Sequence, residues 1–220
     1  MIVARGTILI SLPKKLRLGI LLSGSGRTFQ NLHDRSAAGS LSATIACVIG
    51  SRPDAFGLER ARRVGVPAIV VDRRTAPDDE FHERIAQNLI DASIDLVCMA
   101  GFNCLWRVPP AFTGRVLNIH PALLPEFGGP GFYGTRVHRA VLAAGRRESG
   151  CTVHFCDNEY DHGPILVQRR IPVMPDDTPD ALAARVFEQE CIAYPDAINL
   201  IAEGRVRVDA GRVTILPPSA

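Results

Sequence analysis

LRLGILLSGSGRTFQNL, residues 16–32, runs from a continuous apolar strand (16–23) through a glycine-rich turn into a helix that starts near Arg27. A strand that passes directly into a helix is the opening unit of an α/β fold, and the rest of the chain repeats it. ATIACVIGS (43–51) reads as a strand and DAFGLERARRVG (54–65) as a helix closed by Gly65. VPAIVVD (66–72), DDEFHERIAQNLIDA (78–92) and DLVCMAG (95–101) read as strand, helix and strand, and RVLNIH (115–120) as a fifth strand. A Pro- and Gly-rich loop, 121–134, follows; loops of that length are usually functional or mobile. Beyond it the pattern predicts a helix over 135–145, strands at 151–156 and 165–173, and a long helix over 179–202. RVRVDAGRVTIL, with DAG at its centre, predicts a terminal hairpin. The expected architecture is a single-domain α/β protein: a mostly parallel, doubly wound sheet flanked by helices. Residues 1–15 form an extension, 16–208 the domain, and 209–220 a tail or hairpin strand.

With 220 residues, one sizeable core is expected and nothing demands a second. A net charge of +2, with arginines scattered among carboxylates, speaks against nucleic-acid binding. No apolar run approaches the roughly 18 residues of a membrane span, so no membrane partner is expected. MIVARGTILISLPKK (1–15) places its apolar piece before its lysines, the reverse of a signal peptide. Cysteines 47, 98, 104, 151, 156 and 191 include no CxxC pair and mostly sit in apolar runs. They read as buried free thiols in a reducing cytoplasm, and no metal is expected.

The turn SGSG (23–26) presents backbone N–H groups at a helix N-terminus, a geometry suited to an anion. It fails the dinucleotide fingerprint, because Phe29 stands where the third glycine belongs and the second strand ends in Ser51, Arg52 and Pro53 rather than an acid. No Lys-Ser/Thr pair follows, so it is not a P-loop either. What remains is a site for one phosphate monoester, with Arg27 and Thr28 as further donors.

In VLNIHP (116–121) the side chains of Asn118 and His120 share one face of a strand, two positions apart, at the strand's C-terminal end. Open α/β sheets bind ligands at that end. An amide NH₂ and an imidazolium N–H can both donate to an oxygen that becomes negative in reaction, as acyl transfer requires. A neighbouring carboxylate would hold the imidazole protonated, and Asp161 in EYDHGP, on a polar connection between two strands, is the candidate.

SGSGRTFQNL, DAFGLERAR, AGF, NIHPALLP, GCTVHF, DHGPILVQ and EQECIAYP, in that order over residues 16–208, resemble the phosphoribosylglycinamide formyltransferase family. The resemblance implies a cytoplasmic enzyme that moves a formyl group from 10-formyltetrahydrofolate, as co-substrate, to the amine of glycinamide ribonucleotide. It places the catalytic roles on Asn118, His120 and Asp161, and the ribonucleotide on Gly26, Arg27, Thr28 and Glu190. The folate falls to Asn103, Cys104, Leu105, Trp106, Asp157, Asn158 and Asn118, under a mobile cover formed by 126–134, with His154 bordering the site. Small-molecule substrates, no nucleic acid, no membrane, no metal, and a monomer or homodimer complete the expectation. Two departures stand out: Cys104 where the family often has Arg, with Arg107 as a substitute, and Arg27-Thr28 where it commonly has Ser-Asn. They leave another phosphorylated amine, such as an amino-sugar nucleotide, as the alternative acceptor.

Overall fold

The computed structural model describes residues 7–9, 13 and 15–218; the rest of the expected extension and the last two residues of the expected tail lie outside the described residues. Seven strands form one sheet in the order β4 (Ala68–Val70), β3 (Ala43–Gly50), β2 (Leu16–Leu22), β5 (Leu96–Met99), β6 (Val116–His120), β7 (Glu148–Phe155) and β8 (Ile165–Pro172). The pairs from β4 to β6 are parallel, and β7 and β8 run antiparallel. Between them in sequence lie α1 (Arg27–Ala37), α2 (Phe56–Arg63), α3 (Asp78–Asp91) and α4 (Thr135–Ala143), and α5 (Pro179–Ala202) follows β8.

The sheet is covered on both faces. Leu18, Ile20 and Leu22 of β2 point to one core, shared with Phe29 of α1, Leu58 of α2, Val141 of α4 and Tyr194 of α5. Leu21 points to the other, with Phe81, Ile85 and Leu89 of α3 and with Trp106 and Phe112. Period-two alternation thus survives inside a strand that reads as uniformly apolar, because both faces are buried.

Two strands differ from expectation at their ends. VPAIVVD shortens to Ala68–Val70, an edge strand paired only with β3. The strand expected from Cys151 starts at Glu148, because Glu148, Ser149 and Gly150 find partners in Pro172, Ile171 and Arg170 of β8. Pairing, and not side-chain hydrophobicity, decides both. A second, small sheet joins β1 (Thr7–Leu9), β9 (Val206–Asp209) and β10 (Arg212–Ile215), all antiparallel. Among the described residues no helix is long and apolar enough to cross a membrane, and all six cysteines are free thiols.

The chain winds from β2 to β3 and β4 on one side, then returns to place β5 on the other side of β2. That reversal opens a crevice at the carboxyl ends of β2 and β5, the usual ligand position in such sheets. The hydroxyl of Tyr194 lies 3.0 Å from the carbonyls of both Met99 and Leu117, so α5 is tied to the end of β5 and to β6.

Candidate active site

A cavity of about 500 Å³ occupies the crevice. The glycine turn after β2, the Gly101–Trp106 segment after β5, the end of β6, the 129–135 segment, β7, the 157–161 connection and α5 all contribute to its wall.

At its centre the structure brings Asn118, His120 and Asp161 together. The Asp161 Oδ2 atom faces His120 Nδ1 at 3.4 Å and accepts from the Gly129 N–H at 2.9 Å. Its Oδ1 atom accepts from Asn118 Nδ2 at 3.2 Å and lies 3.6 Å from His154 Nε2. His154 is here because β7 pairs antiparallel with β6 in a register that sets it directly opposite Asn118, and side chains directly opposite share a face. Asn118 Nδ2 also donates to His154 Nε2 at 3.2 Å, while His154 Nδ1 donates to the Phe155 carbonyl at 2.9 Å. His120 and His154 are 3% and 1% exposed.

Asp161 adopts a left-handed backbone, φ 52°, and the turn closes only because residue 163 is glycine: a Cβ there would stand 2.0 Å from the Phe155 carbonyl oxygen. Burial works against the charged form of Asp161, but the His154 and His120 rings, whenever they carry a second proton, and the Gly129 N–H outweigh it and hold the carboxyl below its ordinary range. His120 moves the other way from the expected resting imidazolium. Burial pushes its pKa below the usual value, against the pull of Asp161 and of the Phe127 carbonyl. That carbonyl accepts from His120 Nε2 at 2.8 Å, so the ring's resting proton sits on Nε2 and Nδ1 is the basic nitrogen turned toward Asp161.

The loop expected as a cover is therefore tied to the centre through Phe127 and Gly129. Thr152 anchors its start, accepting from Leu124 N–H at 3.1 Å and donating to the Ala122 carbonyl at 2.7 Å. Gly129, Phe132 and Tyr133 stand in the cavity wall.

Arg27, Thr28, Phe187 and Glu190 also line the cavity. Gly26 does not line the cavity; it shapes the turn. Its φ is 70°, and a Cβ would stand 2.4 Å from Gly57 Cα of α2. Burial pushes Glu190 up to about 7, against the pull of Arg27. Arg27 is the only arginine or lysine in the wall among the described residues, against Asp157, Glu159, Asp161 and Glu190.

Of the residues assigned to folate, Asn103, Cys104, Leu105, Trp106 and Asp157 line the cavity. The Asn103 N–H donates to Ser23 Oγ at 2.9 Å, and Ser23 and Ser51 share a buried hydroxyl contact of 2.6 Å. Trp106 is anchored by its Nε1–H to the His82 carbonyl at 3.1 Å. Asn158 is outside the wall: its Oδ1 accepts from Val108 N–H at 2.7 Å and braces the connection. Arg107 does not replace the missing arginine, because its guanidinium is engaged at 2.6 Å by Asp78 and by Asp79 at the start of α3. His138, Phe187 and Tyr133 line the cavity without having been singled out in the sequence; Phe187 precedes Glu190 by three, a spacing that puts both on one helix face. Among the described residues no group of His, Cys, Asp and Glu is placed to hold a metal ion.

The family model described as formyl transferase matches residues 16–198. Phosphoribosylglycinamide formyltransferase of Haemophilus influenzae is 36% identical over 195 residues, 87% of this chain and 90% of that protein. The chloroplastic phosphoribosylglycinamide formyltransferase of Arabidopsis thaliana is 38% identical over 199 residues, covering 89% of this chain and 68% of the plant protein. Among solved structures, glycinamide ribonucleotide transformylase 1 of Symbiobacterium toebii superposes with a TM-score of 0.86 at 41% identity, over 93% of this chain and 95% of that one.

Proposed function

From the premise that this chain belongs to the phosphoribosylglycinamide formyltransferase family, we propose that residues 16–208 transfer the formyl group of 10-formyltetrahydrofolate to the amine of glycinamide ribonucleotide in purine biosynthesis. The observation that carries the reading is the convergence of Asn118 and His120 of β6 and of Asp161 from the connection between β7 and β8 on one cavity that also holds Arg27.

The acceptor phosphate rests on the glycine turn with Arg27 and Thr28, and Glu190 takes a sugar hydroxyl. The pterin end of the folate lies along the Asn103–Trp106 segment and the 157–161 connection. The acceptor amine then adds to the formyl carbon. Asn118 Nδ2 turns one of its two N–H groups from His154 to the oxygen that becomes negative. His120 Nδ1, unprotonated at rest, takes the proton lost by the amine, directly or through one water, and becomes a second donor to that oxygen. Asp161 compensates the imidazolium as it forms. Collapse of the tetrahedral intermediate breaks the bond to N10 of the folate, and the proton held by His120 goes to that nitrogen, returning the ring to its resting state. A lowered His120 pKa suits this cycle, because a permanently charged ring could not accept the amine proton.

One arginine among four acids in the wall matches a phosphate monoester better than the diphosphate of a sugar nucleotide. The free thiols fit a reducing cytoplasm. The test is tetrahydrofolate release from 10-formyltetrahydrofolate with and without glycinamide ribonucleotide. Release that requires the ribonucleotide is expected. Release without it would indicate a hydrolase and overturn the reading.

A further inference from the structure

Arg27 differs from the other charged groups around the cavity in how it is held. Among the described residues its guanidinium makes no ion pair and no hydrogen bond; its Cζ atom lies over the face of the Phe187 ring, 3.8 Å from the centroid. The two residues come from different parts of the fold, the first turn of α1 and the middle of α5, which pack against each other. Both line the cavity.

The chemistry of that contact is specific. A guanidinium over an aromatic face is attracted by the ring quadrupole, and a contact with the ring face leaves its N–H donors free of any hydrogen-bond partner. A long side chain that would otherwise sample many rotamers is thereby oriented before any ligand arrives. The ring also settles a competition. Glu190 lies one helical turn beyond Phe187 on α5 and also lines the cavity, and its carboxyl is close enough to be influenced by the arginine's charge. Without the aromatic platform the guanidinium could fold onto that carboxylate, neutralise it, and leave the glycine turn without a cation.

We propose that Phe187 is a positioning residue for the phosphate end of the acceptor: it holds Arg27 as an unpaired, oriented cation beside the Gly24–Gly26 turn so that the arginine meets a phosphate monoester and not Glu190. The assignment rests on the acceptor reading given above, and it adds a residue of α5 whose effect passes wholly through Arg27.

The test reads phosphate directly. Inorganic phosphate binding is measured by calorimetry on the whole protein for wild type, Phe187→Leu, Phe187→Tyr, Arg27→Ala and the double variant Arg27→Ala/Phe187→Leu. Phe187→Leu is expected to weaken phosphate by about three- to tenfold, and Phe187→Tyr, which keeps the ring face, to restore it. In the Arg27→Ala background Phe187→Leu should cost nothing further, since the pair acts as a unit. In turnover the loss should fall on the KM for glycinamide ribonucleotide, with kcat and the KM for the folate little changed. Unaltered phosphate affinity in Phe187→Leu, or an equal loss with and without Arg27, would overturn the assignment. Because phosphate binding is read apart from turnover, failure of glycinamide ribonucleotide to react would count against the acceptor alone, and weakened phosphate in Phe187→Leu would still support the pair.

Discussion

Replacing Glu190 with glutamine removes a charge from the wall of the cavity while keeping the shape of the side chain, and its consequence for stability has a definite sign. Burial raises Glu190 from an ordinary 4.5 to about 7. The folded protein therefore keeps this proton at pH values where the unfolded chain has released it. The stabilisation is complete below pH 4.5 and is lost as pH rises through 7. A gap of about 2.5 pH units at about 1.4 kcal/mol per unit bounds the effect at about 3–4 kcal/mol. Glu190 keeps partial contact with solvent in the cavity, and screening brings the working figure to about 1–2 kcal/mol. For a chain of this size that is about 2–8 °C in melting temperature. Scanning calorimetry on wild type and Glu190→Gln at pH 5 and pH 8.5 is the assay. The two should melt together at pH 5, and the glutamine variant should melt higher at pH 8.5. The same variant should bind glycinamide ribonucleotide about tenfold more weakly, so stability and binding move in opposite directions. A melting difference that does not change between the two pH values would refute the argument, because it would mean that Glu190 carries the same charge at both.

Asp161→Asn keeps the size of the side chain and removes the countercharge for His120; kcat should fall by about a hundredfold or more while acceptor affinity stays within a few-fold, and steady-state kinetics showing near-normal turnover would remove Asp161 from the catalytic set. Gly26→Ala forces a left-handed residue and a Cβ into Gly57; a loss of about 2–4 kcal/mol in urea denaturation is expected, with a raised KM for the ribonucleotide, and a loss below about 0.5 kcal/mol would mean that the turn relaxes at little cost. Tyr194→Phe deletes the hydroxyl between the Met99 and Leu117 carbonyls, and the same denaturation assay should show about 1–3 kcal/mol lost; an unchanged midpoint would mean that this tie between α5 and the sheet carries no net stability.

The expectation for His120 shows where reading a sequence stops. Two-residue spacing at the end of a strand places Asn118 and His120 on one side, and the structure finds both in the cavity wall. The charge on the ring was inferred from a partner, Asp161, and that partner is there at 3.4 Å. Burial outweighs it, and burial is a sum over every element that closes around the ring. Arg107 makes the same point from the other side: three positions after Cys104 it looks able to replace a missing arginine, yet the acids at the start of α3 claim it. Asn158, adjacent to Asp157, turns its amide oxygen to Val108 and not to the cavity.

Some features of this protein follow from the chain alone, because they depend on neighbours a few residues apart. The alternation of strand and helix, the open glycine turn before Arg27, the shared face of Asn118 and His120, and the i, i+3 relation of Phe187 and Glu190 are all set by backbone periodicity and local sterics. Other features depend on contacts between residues far apart in sequence. The register that sets His154 opposite Asn118, the reach of Asp161 across 43 positions to Asn118, the Phe127 carbonyl that fixes the His120 tautomer and the ring under Arg27 came only with the folded molecule. Periodicity is written residue by residue, whereas register, burial and protonation are properties of surfaces that exist only after distant segments have packed.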